Sequence, residues 1–327
     1  MPELLTRFPQ FLPFFLSVLL GTAFGITPPV LAEQAQNAAD ENFFAFSYFT
    51  GNGEDGLHLL ISRDALNWQE TNGGKSYLPP IRKGLMRDPS LCQAPDGTFH
   101  LVWTTRWFDH PTFGHSTSRD LIHWTEPEEI PVMESEPTTR NVWAPEVFFD
   151  AKSGYFYVVW ASTIPGRFSE TVKGTSEDAL DHRQYFTKTK DWKTFTPSRL
   201  FFEPGHCVID AFMAEKEGTY FLFFKDETLK PVRKTILLAT APSPEGPWSV
   251  QGQISPTNWV EGPAALDLGT HWLVCYDRYT KHAYGAITSE DGKTWKDVSD
   301  QFHVPADIRH GTMIRVSREV YEGLKTK

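Results

Sequence analysis

Cysteine is scarce: Cys92, Cys207 and Cys275 are the only three in 327 residues. An odd set this small cannot staple an exported domain of such size. Each lies in an apolar, strand-like context, where a thiol behaves as a small buried hydrophobe. No Cys or His spacing of the kind that holds zinc occurs. Basic clusters are missing as well. Lys and Arg number 31 against 41 Asp and Glu, a net charge of −10, which argues against a nucleic-acid backbone or an anionic membrane surface as partner. Long apolar runs are absent except at the N-terminus, where Arg7 precedes an apolar stretch over 11–26 and small residues follow at Gly25 and Ala32. That order predicts a signal peptide over 1–32, cleaved near 25 or 32, in preference to a permanent anchor. It implies a periplasmic or secreted protein with no stable membrane insertion once the signal is removed. A polar linker is expected over 33–41.

What is abundant is aromatic and turn-forming. There are 11 Trp, 25 Phe and 10 Tyr, with 23 Gly and 24 Pro. Short apolar runs bounded by turn residues predict an all-β chain. Two patterns recur within it. A carboxylate precedes a glycine by eight or nine residues, and an aromatic strand follows: Asp88 and Gly97, Glu146 and Gly154, Asp210 and Gly218, Glu261 and Gly269. A second phrase closes each repeat: Ser62-Arg-Asp-Ala-Leu-Asn-Trp68, Ser118-Arg-Asp-Leu-Ile-His-Trp124, Thr189-Lys-Asp-Trp-Lys-Thr-Phe195, Ser243-Pro-Glu-Gly-Pro-Trp248 and Ser289-Glu-Asp-Gly-Lys-Thr-Trp295. Each predicts a turn leading to an outer strand, its final aromatic packed between neighbouring sheets.

Five closing phrases accompany four openings, so the N-terminal repeat lacks an inner strand. Residues 309–315 supply a candidate at the other end of the chain. Pairing of 309–315 with 43–49 would close a ring and leave no long sheet edge exposed. The expected fold is therefore a five-bladed β-propeller over 42–318, a single domain, with a C-terminal tail at 319–327. The interval holding 164–186 is the longest and predicts a loop over one face, with a polar run at 169–178.

In a propeller the first strand of each blade lines the central axis, so carboxylates in one phase of those strands meet at one rim of the channel. Asp88, Glu146, Asp210 and Glu261, with His310 from the closing strand, are expected to converge there. One Asp or Glu at a strand start is ordinarily a turn or cap residue. Four in register repel one another, and such groups are kept where they bind cations or transfer protons. Pro89, Pro145 and Pro263 flank the group and fix the entrance of each strand, because proline lacks a ladder donor. Trp143 and Trp259 offer flat apolar faces nearby, with blade packing as the plain alternative for both. An acidic pocket with aromatic walls suits a neutral sugar ring, whose C–H faces stack while carboxylates take its hydroxyls. Arg87 and Arg309 stand close enough to offset the excess negative charge.

The motifs Met86-Arg-Asp-Pro-Ser-Leu91, Val142-Trp-Ala-Pro-Glu-Val147, Val208-Ile-Asp-Ala211, Val260-Glu-Gly-Pro263 and Arg309-His-Gly-Thr312 resemble, in order and spacing, the successive motifs of glycoside hydrolase family 43. The resemblance covers about residues 42–316. It implies a five-bladed propeller that hydrolyses glycosides with inversion, releasing α-L-arabinofuranosyl, β-D-xylosyl or β-D-galactofuranosyl units from an oligosaccharide or polysaccharide. It further implies Asp88 as general base, Glu261 as general acid and Asp210 as the carboxylate that raises and orients the acid. Glu146 stands where many relatives carry aspartate, a departure that makes it a substrate contact or a supporting residue. With Trp143, Arg87 and Arg309, read from their places beside these motifs, His310 completes the expected substrate-binding set. His310 matches a histidine that in many relatives faces a channel water or a calcium ion, so a structural calcium reached through water is the one metal implied. No cofactor is required for the reaction.

The chemistry asks for these residue types. Cleavage passes through an oxocarbenium-like state, and inversion needs base and acid ~6.5–9.5 Å apart to admit a water. A free Glu is ionised at neutral pH, so the acid is expected to have its pKa raised, with Asp210 as the responsible anion. A family 32 fructosidase would instead retain configuration, with a nucleophile in place of the base. A family 130 mannoside phosphorylase would need a set of basic side chains for phosphate. A sialidase would need six blades and an arginine triad, although the phrase at 289–295 resembles its turn motif. A non-catalytic carbohydrate-binding propeller would have no reason to keep an acid and its modulator, and all three acidic positions are present.

Overall fold

The computed structural model describes residues 42–171, 176 and 179–327. The signal peptide and linker expected over 1–41, and part of the polar run at 169–178, lie outside the described residues. Five strands set the pattern: Phe44–Thr50, Phe99–Thr104, Tyr155–Ser162, Thr219–Asp226 and Trp272–Arg278, each buried along nearly its whole length. Buried on both faces, such strands show continuous apolar runs in place of alternation. Each is the second strand of an antiparallel sheet. The sheets begin on the inside with Arg87–Gln93, Trp143–Asp150, Val208–Lys216 and Glu261–Asp267. Among the outer strands, Gln69–Glu70, Ser249–Gln253 and Lys296–Asp297 are largely exposed.

The protein is a five-bladed β-propeller. In the blade that joins the two ends of the described chain, Phe44–Thr50 pairs with Ile308–Arg309 and Met313–Arg315, with Phe49 opposite Arg309 and Phe44 opposite Arg315. The closing segment expected as one strand over 309–315 is thus two short strands, interrupted at 310–312. Gly311 lies so near that a Cβ there would fall 2.0 Å from the Ser47 carbonyl oxygen.

The hydrophobic core lies between blades. One cluster joins Leu91, Leu101 and Trp103 to Leu57 and Leu59 of the preceding blade, and others repeat the arrangement around the ring. The final aromatics of the closing phrases sit in these seams. Trp68 contacts Phe302 at 6.5 Å between centroids, Trp248 contacts Phe201 at 5.6 Å and Trp295 contacts Phe223 at 6.1 Å. The aspartate in four of the phrases holds the turn by accepting two backbone N–H bonds: Asp64 from Leu66 and Asn67, Asp120 from Ile122 and His123, Asp191 from Lys193 and Thr194, Asp291 from Lys293 and Thr294. The fifth phrase is one residue shorter and turns through Ser243 and Gly246, whose N–H reaches the Ser243 carbonyl. All three cysteines are free thiols.

Beyond the propeller strands, Arg318–Lys325 forms a helix, α1, capped by the Ser317 side chain on the Val320 N–H. Its Val320, Tyr321 and Leu324 are buried against Phe43, Leu59 and Leu121.

Candidate active site

Every inner strand carries the same irregularity near its start. Between the pairs Arg87–Thr104 and Ser90–Val102 the inner strand takes three steps while its partner takes two. The same β-bulge separates Trp143 from Glu146, Ile209 from Phe212 and Glu261 from Ala264. In the closing blade Arg309 and Met313 lie opposite Phe49 and Phe46, again with one extra residue. A bulge takes a residue off the ladder and re-aims its side chain. Asp88, Ala144, Asp210 and Gly262 occupy that place with φ of 53, 47, 53 and 55.

Aligned at the bulge, Asp88, Ala144, Asp210, Gly262 and His310 are equivalent. Arg87, Trp143, Ile209, Glu261 and Arg309 form the preceding ring. The expectation of four carboxylates in one phase is therefore corrected. Asp88 and Asp210 share a phase, Glu261 stands one residue before it and Glu146 two after. Counting back from the glycine misplaced them because the distance from bulge to glycine varies between blades.

Asp88, Trp143, Asp210, Lys225, Glu261 and His310 nevertheless line one pocket of about 200 Å³, with Arg87 and Trp107 at its wall. His310 Nε2 lies 3.0 Å from Asp88 Oδ1 and 4.0 Å from Glu261 Oε1, so those two oxygens are no more than 7.0 Å apart. Thr104 Oγ1 donates to Asp88 Oδ2 at 2.7 Å. Asp210 Oδ2 accepts from the Gly262 N–H at 3.0 Å, which ties it to the residue after Glu261. Glu261 holds a cation on each oxygen: Arg309 Nη2 at 2.6 Å on one and Lys225 Nζ at 3.0 Å on the other. Arg309 also binds Asp277 at 2.7 Å through Nε. Arg87 donates to Asn52 at 2.9 Å and lies 4.3 Å from the Trp107 ring centroid.

These contacts set the charges. Burial pushes Asp88 up, but the His310 hydrogen bond and charge, with Arg87 and Thr104, outweigh it and hold the carboxyl well below its ordinary range. Burial pushes His310 down, and the Asp88 hydrogen bond with the surrounding carboxylates lifts it to about 9. Asp210 is raised, by burial first and by the Glu261 charge, against the pull of His310. The expectation for Glu261 is reversed. Burial raises it, yet Lys225, His310 and Arg309 together bring it down to about 2, so in the unliganded site Asp210 carries the raised pKa of the pair. Sequence proximity identified Asp210 as a neighbour but not the two cations on the Glu261 oxygens.

Glu146 lies deeper, fully enclosed. Its Oε2 accepts from Ser90 Oγ at 2.6 Å, and burial lifts its pKa to about 8. It borders a cavity of about 30 Å³ beneath the pocket, with Ser90, His310 and Thr312, space for about one water. A calcium ion takes six to eight oxygen ligands, and the residues here do not fit one. His310 Nε2 is held by Asp88, and its Nδ1 is packed so tightly on Gly262 that a Cβ there would fall 1.7 Å away. Among the described residues no group of three or more His, Cys, Asp or Glu is set to hold a metal ion.

Trp143 is buried, donates its indole N–H to the Trp107 carbonyl at 2.5 Å and meets the Trp107 ring edge-on at 5.3 Å. Trp259 is not among the pocket's lining residues and packs on Tyr279 at 6.2 Å. Sequence reasoning missed Thr104, Lys225 and Asp277, which face the ring before the bulge from the second strands. Their signal was a polar or charged residue ending an otherwise apolar run. Lys225 joins Arg309 and His310 as a basic set in the pocket, but each of the three already holds a carboxylate.

Five blades around buried carboxylates gathered at one rim of the axis define the class: a β-propeller with an acidic pocket on its axis. A family model described as "Probable glycosyl hydrolase domain", related to glycoside hydrolase family 43, matches residues 41–322. The chain belongs to that family. A curated relative, the non-reducing end α-L-arabinofuranosidase of Bacteroides ovatus, is 30% identical over 92 residues, which span 26% of this chain and 17% of that protein. Two solved structures share the fold. An endo-1,4-β-xylanase of Bacteroides thetaiotaomicron has a TM-score of 0.55 at 13% identity, over 83% of this chain and 93% of its own. An α-L-arabinofuranosidase of Clostridium thermocellum has 0.54 at 13%, over 77% and 84%. Among the described residues no helix is long and apolar enough to cross a membrane.

Proposed function

We propose that the protein is an exported, inverting glycosidase that releases terminal α-L-arabinofuranosyl, β-D-xylosyl or β-D-galactofuranosyl units from polysaccharides or oligosaccharides. The observation that carries this reading is the shared pocket of Asp88, Asp210 and Glu261. Asp88, held ionised by His310, is the base that activates water. Glu261 delivers a proton to the departing oxygen. Asp210, with the raised pKa, is the source of that proton and orients its partner through Gly262. The Asp88 and Glu261 oxygens on either side of His310 lie within 7.0 Å of each other, close enough to act on one sugar, and inversion is drawn from the family. Trp143 and Arg87 line the pocket that receives the sugar. The arabinofuranosidase activity named for the Bacteroides ovatus relative supports a pentose as the released unit. Export is supported by the charged start and apolar run of the sequence.

The test is a panel of nitrophenyl arabinofuranosides, xylosides and galactofuranosides, with the anomer of the first product read by NMR. Glu261→Gln should abolish cleavage of poor leaving groups and spare activated aryl glycosides in part, because a good leaving group hardly needs the proton. Asp88→Asn should lose both, by ~10²–10⁴-fold. Retention of most activity on a natural glycan by both variants would overturn the assignment. Binding without cleavage across the panel would point to a lectin.

A further inference from the structure

Lys225 does not end at Glu261. Its Nζ also lies 2.7 Å from Glu227 Oε2, an ion contact outside hydrogen-bond geometry, while its hydrogen bond goes to Glu261. The other Glu227 oxygen accepts from Lys234 Nζ at 2.6 Å. Lys234 is 0% exposed, Lys225 2% and Glu227 7%, so three charges descend from the pocket wall into one blade. Burying an ion costs several kcal/mol even after relaxation, and packed apolar residues in place of such a group are often as stable or more so. Stability therefore does not account for the group. Its one open end does: Lys225 and Glu227 line the pocket, and Lys234 is sealed beneath them.

We infer that Glu227 and Lys234 are positioning residues that set, through Lys225, how firmly Glu261 gives up its proton. The inference rests on the role proposed for Glu261. The Lys225 ammonium is divided between two carboxylates. Neutralising Glu227 leaves its whole charge to Glu261, and removing Lys225 leaves Glu261 with Arg309 alone on its oxygens. The other titratable groups acting on Glu261 are His310 and Asp210 across the pocket, and Asp277 and Tyr284 on its own blade. These are common to every variant compared below.

The experiment is the pH dependence of kcat/KM on a poor-leaving-group glycoside, with the full chain. The alkaline limb reports loss of the proton shared by Asp210 and Glu261. Glu227→Gln should move that limb to lower pH and Lys225→Met to higher pH, each by roughly one unit. Lys225→Arg, which restores the charge, should return the limb toward the wild type. Shifts of one sign in both variants, or profiles superimposable on the wild type, would overturn the inference. If Glu227→Gln does not fold, Lys234→Met, which returns the whole Glu227 charge to Lys225, should move the limb to higher pH, and an unmoved limb would overturn the inference. Full activity of Glu261→Gln on the same substrate would instead overturn the catalytic reading itself, whereas an inactive Glu261→Gln with unmoved limbs would overturn only the role of Glu227 and Lys234.

Discussion

His310 is the residue on which the charges of the pocket turn. It lies in the break between the two closing strands, and its imidazole reaches Asp88 and Glu261, which come from two different blades. Held as a cation, it keeps Asp88 ionised. His310→Gln should therefore raise the pKa of Asp88 and move the acidic limb of the pH–rate profile to higher pH, since the base must be ionised to act. The same pair gives a stability window. His310 has its folded pKa raised from 6.5 to about 9, so its contribution is fully present below the unfolded value and is lost as pH rises through about 9. The difference in unfolding free energy between wild type and His310→Gln should shrink between pH 6 and pH 10, measured by denaturant titration. Gly262 makes the imidazole's position possible. Gly262→Ala would place a methyl where His310 Nδ1 sits, at a φ of 55 that side chains rarely adopt. Overpacking of this kind costs about 1–3 kcal/mol. Its larger effect should be on activity, because the displaced ring is the one that holds Asp88.

At the scale of elements, the closing phrase is a turn made by one side chain. Asp120 accepts from the Ile122 and His123 N–H groups at 2.9 and 2.8 Å, and Leu121 between them takes a φ of 63. Asp120→Ala leaves those donors to water and should lower stability by about 1 kcal/mol, the magnitude of a lost cap, with activity unaffected. Burial raises the Asp120 carboxyl and its hydrogen bonds bring it down to about 2. Its contribution is present above the ordinary carboxylate pKa and is lost as pH falls toward 2, so the Asp120→Ala deficit should fade in thermal melts taken at progressively lower pH. These turns were legible in the sequence because their chemistry is local: an aspartate needs only N–H groups two and three residues on. The bulges of the inner strands were not. They ask for one left-handed residue each, and Asp88, Ala144 and Asp210 fill that place as Gly262 does, so composition does not mark them. The carboxylates themselves were legible; which of them share a phase was not. The Lys225–Glu261 and Arg309–Asp277 pairs were hidden for a related reason, since their partners come from different sheets.

At the scale of the whole molecule, ring closure and the site are one construction, and two truncations separate what each part supplies. Ending the chain at Ser317 removes α1 only. Val320, Tyr321 and Leu324 leave the seam where Tyr321 meets Phe43 at 5.0 Å between centroids. At ~1.5–3 kcal/mol for each large apolar side chain returned to water, the loss is substantial, but the ladder stays intact. This form should melt cooperatively at lower temperature and keep its kcat. Ending the chain at Pro305 removes both closing strands. Phe44–Thr50 then becomes a bare edge with unpaired backbone groups, the kind that recruits other chains. Arg309 and His310 go with it, which leaves Asp277 without its guanidinium and Asp88 without its imidazolium, buried charges that cost several kcal/mol when unpaired. This form should be inactive, melt without a sharp transition and elute in larger species on size-exclusion chromatography. A monomeric, cooperatively melting product truncated at Pro305 would show that the ring holds without its last strands. An active one would show that His310 is not needed to keep Asp88 charged.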